Sequence, residues 1–324
     1  KDLNFSFDIT RNKYSLSKIN VAFDEIKFNS PFIQIEGKKD LYLIDGTLLN
    51  KDQKLEGKDL KLIFGNLPNN FDIREIEFSS KNNFSFTINK KLKFNDLKVK
   101  TTIDLDQLIF IEKSLNLKPF LPNTKEEIKF ENHKIKIDYS KDQLTIDGNG
   151  DVFLTNNIEK ISYVIIRNNN QFIFNTKLNI ENNPLIIEFL DYEKKEGVNS
   201  IISIKGDLKK NGSIKFESIS LEENKNKILI NNLELSPTFK INNIGSFNAD
   251  YKNNKNIVNK LSLKKDNSNF ILDGDSFDAA KIINNIMDSD DKDSSIFQKL
   301  NTKINLKIKK TYIDEVNYLN NLSG

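Results

Sequence analysis

Alternation of apolar and polar residues recurs along this chain, and a period of two suits a strand with one dry face and one wet face. Phe84, Phe86 and Ile88 alternate with Ser85, Thr87 and Asn89. Phe172, Phe174, Thr176, Leu178 and Ile180 repeat the pattern, as do Ile135, Ile137 and Tyr139, and then Ile304, Leu306 and Ile308. The breaks fall where turn-forming residues cluster: Gly46, Asn69-Asn70, Lys81-Asn82-Asn83, Asn132-His133, Asp147–Gly150, Asn211-Gly212 and Asn253-Asn254. Asn-Gly tolerates positive φ and suits a two-residue hairpin. The Asn211-Gly212 pair is therefore expected to join strands 201–208 and 213–221. The pattern predicts an antiparallel meander of many strands.

Composition decides whether such a chain folds. Apolar residues make up 37% of 324 residues and charged residues 29%, a polar balance for a globular protein. The apolar residues include 24 Phe and are spaced along the whole length, which a disordered chain would not show. Lys, Asn and Ile are abundant, as a genome rich in A and T would encode, so lysine-heavy strand faces say little about partners. Net charge is only +3, from 49 basic and 46 acidic residues interspersed, and no basic stripe of the kind that binds nucleic acid is visible. There are no cysteines, so disulfides and thiolate chemistry are excluded and the redox compartment stays open. The chain opens on Lys1 inside a strand-like pattern, with neither a signal peptide nor a long apolar span. It is expected to be an internal segment of a longer protein.

Two stretches depart from period two. In Asp104–Leu115, the positions Leu105, Leu108, Ile109 and Leu115 share one helical face, Asp104 and Gln107 have capping-box spacing, and Pro119 and Pro122 follow. In Phe277–Met287, Phe277, Ala280, Ile283 and Met287 keep helical spacing after a cap at Asp275 or Ser276. Each follows an acidic strand end, Thr101–Asp106 or Phe270–Asp275, which suggests an internal structural repeat. The division expected is 1–122, a sheet segment ending in a short helix, and 123–324, a second segment with a helix near 277–287.

Catalytic equipment is not apparent. His133 is the only histidine and is expected in an exposed turn, Glu131–Lys134. The acidic run Asp288, Asp290, Asp291 and Asp293 lacks the glycine and terminal glutamate of a calcium loop and reads as solvated. Gly148 and Gly150 lie between Leu144-Thr145-Ile146 and Val152-Phe153-Leu154, and read as a hairpin turn rather than a phosphate loop. The absence of Trp argues against carbohydrate platforms and membrane-barrel girdles. No cofactor or metal is expected, and no enzymatic step.

What remains is the one-sided apolar face. It either packs against a second layer, as in a sandwich, or curls into an open trough lined by Phe, Ile and Leu. Strand parity nominates Phe84, Phe86, Ile88, Phe172, Phe174, Leu178, Ile214 and Phe216 as lining residues.

The segment Phe270–Ala280 has a strand ending in Gly274, then a Phe277-Asp278 pair opening a short helix. It resembles the AsmA-like family, particularly its YhdP-like branch. Strand 303–311 and the ending Val316–Gly324 are similar to the family's closing pattern, and Leu60, Leu62 and Phe64, and Ile228–Leu235, share its texture. The resemblance is carried by about the last third of the chain. It implies a mainly β fold, a long twisted antiparallel sheet curled into an open hydrophobic groove with two short amphipathic helices. It further implies a periplasmic, inner-membrane-anchored, TamB-type bridge for phospholipid, with acyl chains as partner, Gly274, Phe277 and Asp278 as family-like positions, and no nucleic acid. The alternative from another class is an extracellular β-sandwich or solenoid adhesin that binds a protein or glycan.

Overall fold

The computed structural model describes residues 3–23, 26–59, 71–112, 117–168, 171–266, 269–288 and 303–324. The chain is mainly β, 74% strand, and its sheet is mostly antiparallel and not closed into a barrel. By contacts it divides into two compact units, Lys1–Leu115 with Lys125–Phe172, and Asn116–Thr124 with Ile173–Gly324. The division expected after residue 122 falls inside the segment 116–124, which packs with the second unit.

The first unit is a meander of β1 (Leu3–Thr10), β2 (Lys13–Phe23), β3 (Ile26–Gly37), β4 (Leu41–Glu56), β5 (Phe71–Asn89), β6 (Phe94–Glu112), β7 (Glu127–Ser140), β8 (Gln143–Phe153) and β9 (Ile158–Asn168). Each strand pairs antiparallel with the next. Register places Phe7, Leu16, Ile33, Gly46, Phe84, Val99, Tyr139, Leu144 and Arg167 in one row across all nine strands. Cross-strand partners share a face, so the alternation in separate strands merges into a single apolar surface.

Register slips interrupt this sheet at Asn29/Ile33, Asn50/Gln53, Glu77/Phe78 and Glu131/Lys134. Beside them Asp52 (φ 46°) and Asn132 (φ 54°) take left-handed backbone, as does Lys18 (φ 54°) at a further slip in β2. An inserted residue bends its strand and increases local twist. Across a slip the apolar residues resume on the same side, as Leu105 and Leu108 do on either side of Asp106.

These slips account for several departures from the sequence reading. The helix expected over Asp104–Leu115 is strand β6 up to Glu112, and residues 113–116 lie outside the described residues. Asp106 is the inserted residue, so Leu105 and Leu108 share a face three positions apart, a spacing that imitates a helix. The repeat proposed between the two helices therefore does not hold. Asn132-His133 is a slip within β7 rather than a turn.

Gly46, Lys81–Asn83 and Asp147–Gly150 also lie inside strands β4, β5 and β8. The glycines make room for rings on the adjacent strand. A Cβ at Gly46 would meet Phe84 at 2.8 Å, at Gly148 it would meet Tyr163 at 2.5 Å, and at Gly150 it would meet His133 at 2.2 Å. Asn69-Asn70 and the Leu60, Leu62 and Phe64 positions lie outside the described residues, although residues 57–59 are helical.

The second unit follows from β10 (Gln171–Ile180), inside which the boundary falls. Its sheet contains β13 (Ser200–Lys209), β14 (Ile214–Glu223), β15 (Asn226–Leu235), β16 (Ile241–Asn243), β17 (Ser246–Lys252), β18 (Val258–Asp266), β19 (Asn269–Asp278), β20 (Ile304–Tyr312) and β21 (Tyr318–Ser323). A small hairpin, β11 (Leu185–Ile187) and β12 (Tyr192–Lys194), is joined by a 3-10 turn, Glu188–Leu190. The turns at Asn211-Gly212 and Asn253-Asn254 form as expected, with Gly212 at φ 80° and the Asn253 amide donating to Ile257 O. The second expected helix is present as α1 (Ala280–Asp288), but Phe277 and Asp278 end β19 instead of opening it. Its first turn is capped by Asp278, whose Oδ1 accepts from the Ala280 amide at 3.0 Å, not by Asp275 or Ser276. β20 then returns parallel to β19, a pairing that requires a crossover connection.

Candidate functional site

Among the described residues the apolar face of the first unit has no second layer over part of its extent. Phe7 is 66% exposed, Ile9 58%, Phe94 51% and Tyr42 42%, and register places all of them on the face of Phe84 and Phe86. Phe84 and Phe86 stack at 5.9 Å and Phe86 meets Phe94 at 4.6 Å, so the rings form a continuous half-buried track. Ile88 continues it. Phe172, also in the first unit, is 42% exposed.

A polar belt crosses this track. Thr101 Oγ1 donates to Asn82 Oδ1 at 2.9 Å, and Asn82 Nδ2 donates to Ser80 Oγ at 3.0 Å. Ser80 Oγ in turn donates to Asn50 Oδ1 at 3.1 Å. Beyond the belt, Ile26 and Leu55 pack with Phe28, Ile73, Ile76 and Phe78 into a small core.

His133 faces this same side and is buried, not exposed as the sequence reading held. Its Nε2–H donates to Asp151 O at 2.9 Å, leaving Nδ1 to accept from the Tyr163 hydroxyl at 3.3 Å. Its ring meets Phe130 edge-on at 4.9 Å. Burial pushes the imidazole below its ordinary value, against the opposing pull of the Asp151 carbonyl and carboxylate. Burial alone would raise the Asp151 carboxyl, but Lys160 and Asn132 hold it below the usual range.

In the second unit, Phe174 and Phe216 meet edge-on at 5.9 Å over Gly206. Leu178 is half-buried on β10, and Ile214 is half-buried on β14 opposite Leu235. Phe216 pairs with Leu233, which lines a cavity of about 260 Å³. The fourteen lining side chains are all Phe, Leu or Ile. The sheet supplies the floor, while Phe189 and Leu190 of the 3-10 turn and Ile282 of α1 supply the roof. The cavity escaped sequence reasoning because part of its roof comes from a three-residue turn without periodicity. The alternation of Leu261 with Leu263 and of Phe270 with Leu272 signalled only the floor.

Polar contacts pin the roof at its end. Tyr251 OH donates to Leu190 O at 2.6 Å and Tyr192 OH donates to Glu223 at 2.5 Å. Burial raises both phenols. Asn253 Nδ2 bridges Asp278 at 2.8 Å and Asp191 at 3.3 Å, Lys255 lies 3.3 Å from Asp278, and Lys281 lies 3.8 Å from Asp191. The family-like positions thus divide. Gly274 lies flat against Leu261, Phe277 joins the core with Leu261 and Ile308, and Asp278 ties β19 to this knot.

Among the described residues no group of three or more His, Cys, Asp or Glu is placed to hold a metal, and no helix is long and apolar enough to cross a membrane. Asp290, Asp291 and Asp293 lie outside the described residues. Compared with known protein families, curated proteins and solved structures, the chain matches none.

Proposed function

We propose that this chain is a non-enzymatic lipid-binding element whose apolar sheet face takes the acyl chains of phospholipid. On this reading it is a segment of an AsmA-like, YhdP-type periplasmic protein, anchored in the inner membrane outside this segment, that conducts phospholipid between the inner and outer membranes. The observation that carries the reading is the exposed track of Phe7, Ile9, Tyr42 and Phe94 running on into Phe84 and Phe86. A contiguous apolar surface of this kind marks an interaction site. Burying each methylene of a chain laid on it stabilises by about 0.8 kcal/mol, so a long tail can exchange a bilayer for the sheet. The register slips in neighbouring strands, each of which bends its strand and adds twist, support a trough in preference to a flat platform.

Phe86→Asp and Phe174→Asp test the proposal. Both side chains are half-buried, so each change should sharply lower the phospholipid that co-purifies with the protein while a cooperative melt persists. Loss of the cooperative melt with either change would make the face an ordinary core and the reading wrong.

A further inference from the structure

We infer that the cavity roofed by the 3-10 turn and α1 is a slot for the methyl end of a single acyl chain. The cavity is partly open to solvent and lined by Phe, Leu and Ile alone. On the α1 side the roof rests on the floor through Ile282, which packs against Leu261 and Phe277. On the side of the 3-10 turn it is held by the hydrogen bond at Leu190 O and by ion pairs through Asp191 and Asp278, and the space between is apolar throughout. Such a wall gives a polar ligand nothing to bond with, and an apolar cavity of about 150 Å³ is known to stay dry and admit benzene. By the same ratio about 260 Å³ holds roughly ten carbons.

The floor presents a row of apolar side chains to such an occupant. Ile230, Phe247, Leu263 and Leu272 stand opposite one another on successive strands of the floor. At about 4.8 Å between strands that row spans about 14 Å. The inference shares with the proposed function the premise that apolar surface here takes acyl chains, but it gives the second unit a site of its own with a length limit.

Calorimetric titration of the whole chain with even-numbered carboxylates, hexanoate to hexadecanoate, below their micelle concentrations, tests it. Affinity should rise about fourfold per added methylene and then level off near decanoate. Absence of binding, or a rise that continues unbroken to hexadecanoate, would overturn the slot. Ile230→Phe, which fills the floor, should weaken decanoate at least tenfold. If Phe86→Asp removes decanoate binding and Ile230→Phe spares it, the slot fails while the trough stands. If the decanoate break persists but no phospholipid co-purifies, the trough fails and the slot stands. The length series on the unaltered protein decides the matter even if Ile230→Phe does not fold.

Discussion

His133 sits in a strand whose local sequence, Glu131-Asn132-His133-Lys134, has the polarity of a turn. Its burial rests on residues distant in sequence: Gly150, which makes room for the ring, Tyr163, which donates to it, and Phe130, whose ring it meets edge-on. No local pattern could announce that arrangement. Nor could one show that Gly148 and Gly150 serve rings on neighbouring strands and not a reversal of the chain. Two predictions belong here. Gly150→Ala puts a Cβ at 2.2 Å from the ring and should cost about 1–3 kcal/mol, read by urea unfolding. The folded imidazole titrates below its ordinary 6.5, so as pH falls below 6.5 the unfolded chain takes up a proton that the folded chain refuses. Stability should be full above that pH and decline as pH drops through the lowered folded value. His133→Phe should flatten that part of the profile, and an unchanged decline would place its origin elsewhere.

At the scale of elements, strand identity was legible where alternation ran unbroken, as in β10, β20 and the core of β5. It was illegible where a bulge shifted the phase. Val99, Thr101, Ile103 and Leu105 alternate correctly, but Asp106 is an added residue, and beyond it Leu108 and Phe110 resume on the same face. A period of two with one insertion contains a spacing of three, which is also the helical signature. The genuine helix, α1, was found, yet its cap was placed too early because β19 carries its own bulge near Asp275 and runs on to Asp278. Asp278→Ala removes the cap and leaves the Asn253 amide and Lys255 ammonium without this partner. It should cost about 2 kcal/mol and speed hydrogen exchange in α1. Exchange in α1 that matches the unaltered protein would mean that the cap and knot do not hold the roof.

For the molecule as a whole, the chain's mainly β, antiparallel character followed from periodicity alone. The track in the first unit was partly legible: parity placed Phe84, Phe86 and Ile88 together, but Phe7, Ile9, Tyr42 and Phe94 join them only through register. The fourteen-residue cavity in the second unit needs strands and a turn brought together from residues 189 to 304. What the faces hold is the central question. The direct measurement is lipid mass spectrometry on the protein purified from a bacterial envelope. The account predicts phospholipid in stoichiometric amount, lost with Phe86→Asp. A lipid-free, monodisperse protein with a cooperative melt would contradict it, and the apolar track would then belong to a protein-binding scaffold.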